Sequence, residues 1–186
     1  MLNARKADVD RAMLLVIDLQ TKLLPRIEDW EEILDTAELL VQGAQLFGLP
    51  ILATAQYVKG LGPLHERVAR PLKAAGIPVM EKMTFSVCAD DAMKRRLMEI
   101  DRPQVIVTGV EAHVCVQQTV LDLVSMDYTV FVCADGIGSR GALDLDLSLS
   151  RMQQAGAAVT TAEAVLFELC HVAGTERFKK LLELVK

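Results

Sequence analysis

The chain has 186 residues, 52% of them hydrophobic and only 4% aromatic, with a formal net charge of −5. That length suits one domain with an aliphatic core needing no disulfide staples, and the acidic balance excludes the basic stripe expected of a nucleic-acid binder. No apolar run approaches the roughly 20 residues that span a bilayer, the polar start MLNARKADVDR lacks a signal-peptide core, and the four cysteines are scattered with no CxxC pair. The expectation is a cytoplasmic protein with free thiols that engages neither membrane nor nucleic acid.

Apolar runs of strand length alternate with segments of helical period. The first strand is Ala12–Ile17, AMLLVI, closed by Asp18. Ile33, Ala37, Leu40, Val41, Ala44 and Phe47 recur at threes and fours and predict a helix, which Gly48 and Pro50 end. Residues 51–55 form the second strand, YVKGLGP a loop, 64–75 a helix and 79–81 a short third strand. A helix over 90–100 precedes the fourth strand, 104–108, and a helix over 114–126 precedes the fifth, 128–134. A helix over 143–155, a sixth strand over 157–161, and helices over 162–169 and 176–185 complete the chain. Six strands alternating with helices predict an α/β fold with a parallel sheet covered on both faces. The apolar share exceeds the usual level, which has two readings: a doubly covered sheet, or a face buried between subunits of a homo-oligomer (a dimer or tetramer).

Ligands of open parallel sheets bind beyond the carboxyl ends of the strands. Asp18 follows strand one, Lys82 strand three, and Gly109-Val110-Glu111-Ala112-His113-Val114-Cys115 strand four. Their chemistry is complementary. A cysteine attacks as thiolate, a helix N-terminus and a nearby cation both lower a thiol's pKa, and a carboxylate can accept the thiol proton and return it to a leaving group. Spacing alone leaves the alternatives open: Cys115 as a packed core thiol, Asp18 as a loop cap, Lys82 as a solvated charge.

The motifs VIDLQ, EKMTFS and TGVEAHVCVQQTVLDL, with TAQYVKGLGP, Ser139-Arg140 and RMQQAGAAVTTAEAVLFEL, resemble the isochorismatase-like hydrolase superfamily. The likeness is to its cysteine-hydrolase branch and, within it, to the isochorismatase-domain-containing subgroup, and it runs from about Met13 to Leu182. The resemblance implies a three-layer α/β/α sandwich with a six-stranded parallel sheet, one hydrolase domain over residues 1–186. It implies a catalytic triad falling on Asp18, Lys82 and Cys115, a cis peptide at Val110–Glu111, and an oxyanion hole from the backbone N–H groups of Glu111 and Cys115. Isochorismatases proper lack the thiol, so Cys115 points to acyl transfer from a small amide, ureide or related carbonyl compound. Nicotinamidases carry an Asp and His metal cluster after strand two; here that stretch, TAQYVKGLGPLH, holds only His65, so the expectation is no metal and no cofactor. The competing reading is a catalytically silent oligomeric interaction protein of the same fold.

By position, Gln20, Gln56, Tyr57, Phe85 and His113 are candidate pocket walls. Gly136-Ile137-Gly138-Ser139-Arg140-Gly141 spells GxGxxG, but it follows the fifth strand and leads into Asp144 and Asp146, so it reads as a flexible loop and not a dinucleotide turn. Met80, Met83, Met93 and Met98 read as core filler, and Cys88, Cys133 and Cys170 as buried thiols.

Overall fold

The structure, a computed structural model, describes residues 6–186. Six strands, β1 (Ala12–Ile17), β2 (Ile51–Gln56), β3 (Val79–Lys82), β4 (Gln104–Val110), β5 (Thr129–Gly138) and β6 (Ala158–Thr160), form one sheet in the order β3-β2-β1-β4-β5-β6. Every neighbouring pair is parallel. The helices are α1 (Trp30–Phe47), α2 (Val58–Leu61), α3 (Glu66–Ala74), α4 (Asp91–Ile100), α5 (Gln117–Ser125), α6 (Ala142–Gln154), α7 (Ala162–Cys170) and α8 (Glu176–Leu184).

Strand β1 explains the layering. All six of its side chains are buried, so it reads as continuously apolar. Ala12, Leu14 and Val16 point into a core with α1, α3, α7 and α8 residues such as Leu40, Val68, Leu166 and Leu181. Met13, Leu15 and Ile17 point the other way, against Met93, Leu97, Val120 and Met152 of α4, α5 and α6. Alternation along one strand thus builds both cores of a three-layer sandwich, each fully buried aliphatic side chain contributing about 1.5–3 kcal/mol. Helix ends follow their local chemistry: Asp90, Thr161 and Thr175 accept from the first-turn amides of α4, α7 and α8, and Gly48 closes α1 at φ 71°.

The chain runs from β1 outward through β2 to β3, then crosses back to lay β4 on the other side of β1. The switch of direction lies between β1 and β4, and a crevice opens there at the strands' carboxyl ends. Gly109 makes this junction possible. It adopts φ 130°, and a Cβ there would lie 2.0 Å from the Ile17 carbonyl oxygen. Gly109→Ala is therefore expected to destabilise the fold by more than about 3 kcal/mol, read as a lowered urea midpoint. Unchanged stability would mean that β1 and β4 do not meet this closely.

Several expectations need correction. YVKGLGP is not all loop: Val58–Leu61 forms a helical turn. The helix expected over 114–126 begins as a π-helical turn, Ala112–Val116, before α5. GIGSRG is not a flexible loop. Gly136, Ile137 and Gly138 are the last residues of β5, buried, and paired onto β4 beyond an irregularity in the ladder. Met83 and Met98 are exposed at 66% and 61% and fill no core, and Cys170 is only half-buried.

Candidate active site

Asp18 and Cys115 follow the two strands that flank the switch point, and Lys82 is the last residue of β3. Lys82 must reach across β2 to meet Asp18, two strand spacings or roughly 9.5 Å. Its four-carbon stem, the hydrogen bond and the Asp18 side chain together close that gap, and the Lys82 side chain is 1% exposed. Its Nζ donates to Asp18 Oδ2 at 2.6 Å and to Gln56 Oε1 at 2.7 Å, and lies 3.5 Å from Cys115 Sγ. A longer contact, 3.3 Å, goes to the Thr84 carbonyl. Asp18 Oδ1 accepts from Thr54 Oγ1 at 2.8 Å. Each buried charge is therefore paired and hydrogen-bonded, the condition under which burial is tolerated.

Asp18 sits at φ 54°, in the left-handed region, which turns the chain sharply off β1. The Val110–Glu111 peptide is cis. Thr119 Oγ1 donates to the Cys115 carbonyl at 2.7 Å and accepts from the Val87 amide at 3.0 Å. One hydroxyl thus ties the nucleophile's turn to the loop that follows β3.

Burial, followed by the negative charge of Asp18, pushes the Cys115 thiol up to about 12 from an ordinary 9; Lys82 pulls the other way and offsets only part of this. The expectation of a thiol lowered by cation and helix is reversed, because burial costs the thiolate more than Lys82 returns. The free site holds a neutral thiol beside a carboxylate. Alkylation of Cys115 by iodoacetamide is expected to keep accelerating above pH 9, read by mass spectrometry of the Cys115 peptide. A plateau between pH 6 and 7 would contradict this.

A cleft of about 370 Å³ opens over Cys115, lined by Gln56, Phe85, Glu111 and Val114, with Lys22, Leu23, Arg26, Gly60, Leu61 and Arg140 also on its walls. Of the candidate pocket walls, Gln56 and Phe85 line it, Phe85 at 53% exposure. Gln20, Tyr57 and His113 do not. Gln20 is fully buried; its Nε2 donates to the Gln56 and Gly62 carbonyls and its Oε1 accepts from the Gln56 amide, so it ties the end of β2 to the turn that closes α2. Tyr57 is exposed, and His113 Nδ1 is 2.9 Å from Ser139 Oγ. Arg140, the cation of the GIGSRG stretch, donates from Nε to Glu111 Oε1 at 2.8 Å. His65 caps α3, its Nδ1 accepting from the Arg67 amide at 3.4 Å. Among the described residues no group of three or more His, Cys, Asp or Glu side chains is placed to hold a metal.

A family model, the isochorismatase domain, matches residues 12–164. The chain belongs to the isochorismatase family. Isochorismatase domain-containing protein 1 of Salmo salar is 34% identical over 170 residues, 91% of this chain and 59% of that protein, so the chain spans about six-tenths of this relative's length. MAR1 ribonuclease of Caenorhabditis elegans superposes with a TM-score of 0.91 at 33% identity, covering 97% of this chain and 92% of that one. The YcaC gene product of Escherichia coli, an octameric hydrolase of unknown specificity, gives a TM-score of 0.90 at 23% identity over 96% and 90% of the two chains, a likeness of fold. Membership of this family places the chain in the isochorismatase-like superfamily, and among the described residues no helix is long and apolar enough to cross a membrane.

Proposed function

We propose that this family member is a thiol hydrolase of a small amide, ureide or related carbonyl substrate, working as a single domain through Cys115, Asp18 and Lys82. The observation that carries the reading is the contact of Lys82 Nζ with both Asp18 Oδ2 and Cys115 Sγ at the floor of the cleft. In the first step Asp18 takes the thiol proton as Sγ bonds to the substrate carbonyl carbon. Lys82 holds Asp18 in place through its hydrogen bond and adds positive charge beside the forming thiolate. The carbonyl oxygen becomes an oxyanion, received by the backbone N–H groups of Glu111 and Cys115. As the C–N bond breaks, the leaving amine takes the proton from Asp18, and a thioester remains. Water then adds to the thioester, its proton passing to Asp18 and on to the departing Cys115 sulfur.

Proton transfer and charge stabilisation in this scheme fall to Asp18, Lys82 and the two backbone N–H groups. A neutral resting thiol fits the scheme: the proton leaves only as the carbonyl arrives, when an oxyanion and not a bare thiolate carries the charge. We further propose a cytoplasmic setting, which suits the free thiols Cys88, Cys115, Cys133 and Cys170, and a homo-oligomer (a dimer or tetramer), supported by the exposed Leu143 and Leu147 of α6 and by the octameric YcaC.

The test is acid quenching during turnover of a library of small amides and ureides, with mass spectrometry of intact protein and peptides. The expected result is an acyl adduct on Cys115 that is absent from Cys115→Ala and released by hydroxylamine. Hydrolysis that persists in Cys115→Ala, or no adduct and no turnover across the library, would leave the silent interaction protein as the better account.

A further inference from the structure

The cleft's charges do not balance. On its floor Lys82 pairs with Asp18, and on its wall Arg140 pairs with Glu111. Lys22 and Arg26 also line the cleft, and neither joins any ion pair among the described residues. Two positive charges are thus left over in a protein whose net charge is −5. Both come from the segment directly after Asp18, and both are exposed where Cys115, Gln56 and Glu111 are buried. The cleft therefore runs from a reactive floor with neutral pairs to a mouth with surplus cations, and its remaining wall is apolar.

From this arrangement, and resting on the hydrolase reading above, we infer that the substrate carries a carboxylate at the end remote from its scissile carbonyl, held by Lys22 and Arg26. The guanidinium of Arg26 offers a planar fork matched to a carboxylate, and Lys22 a mobile point charge. An apolar middle and a cleft of about 370 Å³ suit a small N-acyl or ureido acid, and an ammonium-bearing substrate would be repelled.

Iodoacetate and iodoacetamide test this directly. They are nearly isosteric, one anionic and one neutral, and each forms a C–S bond to Cys115 as iodide leaves with its electron pair and the thiol proton passes to solvent. The ratio of their rates at Cys115, iodoacetate over iodoacetamide, is expected to exceed the ratio for 2-mercaptoethanol about fivefold in low salt. The excess should shrink in 0.5 M sodium chloride and vanish in Lys22→Gln/Arg26→Gln. A ratio at or below that of mercaptoethanol, or one unmoved by the double variant, overturns the inference. Protection of Cys115 by a micromolar single-stranded RNA oligonucleotide, but not by millimolar glutarate, also overturns it, since the cations would then serve phosphates. A Cys115 that prefers iodoacetate yet never gains an acyl group from any amide would sink the hydrolase reading and leave the charge preference standing. Acyl adducts formed equally from acidic and neutral amides would do the reverse.

Discussion

Replacing Asp18 with Asn is expected to slow the proposed hydrolysis by about 10²–10⁴-fold while making Cys115 more reactive toward iodoacetamide near pH 8. The two effects run in opposite directions for one reason. The carboxylate beside Cys115 holds the thiol proton in place, and it is also the group proposed to receive that proton during attack. Asparagine keeps the shape and the Thr54 contact but removes the charge. The thiol then feels Lys82 without its counter-charge, and its pKa falls, although burial keeps it above the ordinary range. Alkylation therefore gains while catalysis loses its base. Measuring kcat/KM and the alkylation pH profile in the same variant separates this from structural damage, which would not speed alkylation at Cys115 alone. If alkylation is unchanged and turnover survives, Asp18 is not the base.

The second large effect concerns stability. Lys82→Met strips the only cation paired with Asp18 among the described residues and leaves a fully buried carboxylate with a single hydroxyl donor, Thr54 Oγ1. Losing one partner of a buried pair costs about 3–5 kcal/mol, or a fall in Tm of roughly 10 °C for a chain of this size. Adding Asp18→Asn to Lys82→Met should restore more than half of that loss, because no charge is then buried alone. Thermal denaturation of the two single variants and the double variant closes the cycle. A Lys82→Met protein as stable as the parent would mean that Asp18 carries no charge in the fold.

The alternation of strands and helices is legible in the sequence because a doubly buried sheet leaves continuous apolar runs. Asp18, Lys82 and Cys115 are legible for a related reason: each lies past the carboxyl end of such a run, where ligands of parallel sheets bind. The groups that support them are less so. Gln56 is a candidate by position, but Thr54, two residues earlier on the same face of β2, is not, because one threonine in ILATAQ is too ordinary a pattern to mark a site. Gln20, Tyr57 and His113 lie near the motifs in sequence, and nearness along the chain cannot say whether a side chain turns toward the cleft or into the packing beneath it. The thiol's pKa runs against expectation because a motif displays the cation and the helix but not the burial that outweighs both. GIGSRG runs against expectation because its glycines do not break the strand. In β5 their role is clearance: a Cβ at Gly138 would lie 2.3 Å from Ile33 Cδ1, and one at Gly136 2.8 Å from Thr108 Oγ1.

The crossing of Lys82 over β2 also bears on how the molecule comes together. At the floor of the cleft Lys82 of β3 meets Asp18 past β1, Gln56 of β2 and Cys115 past β4, and β1 pairs with β4 across the whole stretch of chain that holds β2 and β3. No local hairpin or single helix can assemble any part of this floor. Such distant pairings close late and slowly, so in refolding the proposed hydrolytic activity should return after helical signal has recovered, and a chain cut before β4 holds Asp18 and Lys82 but lacks Cys115.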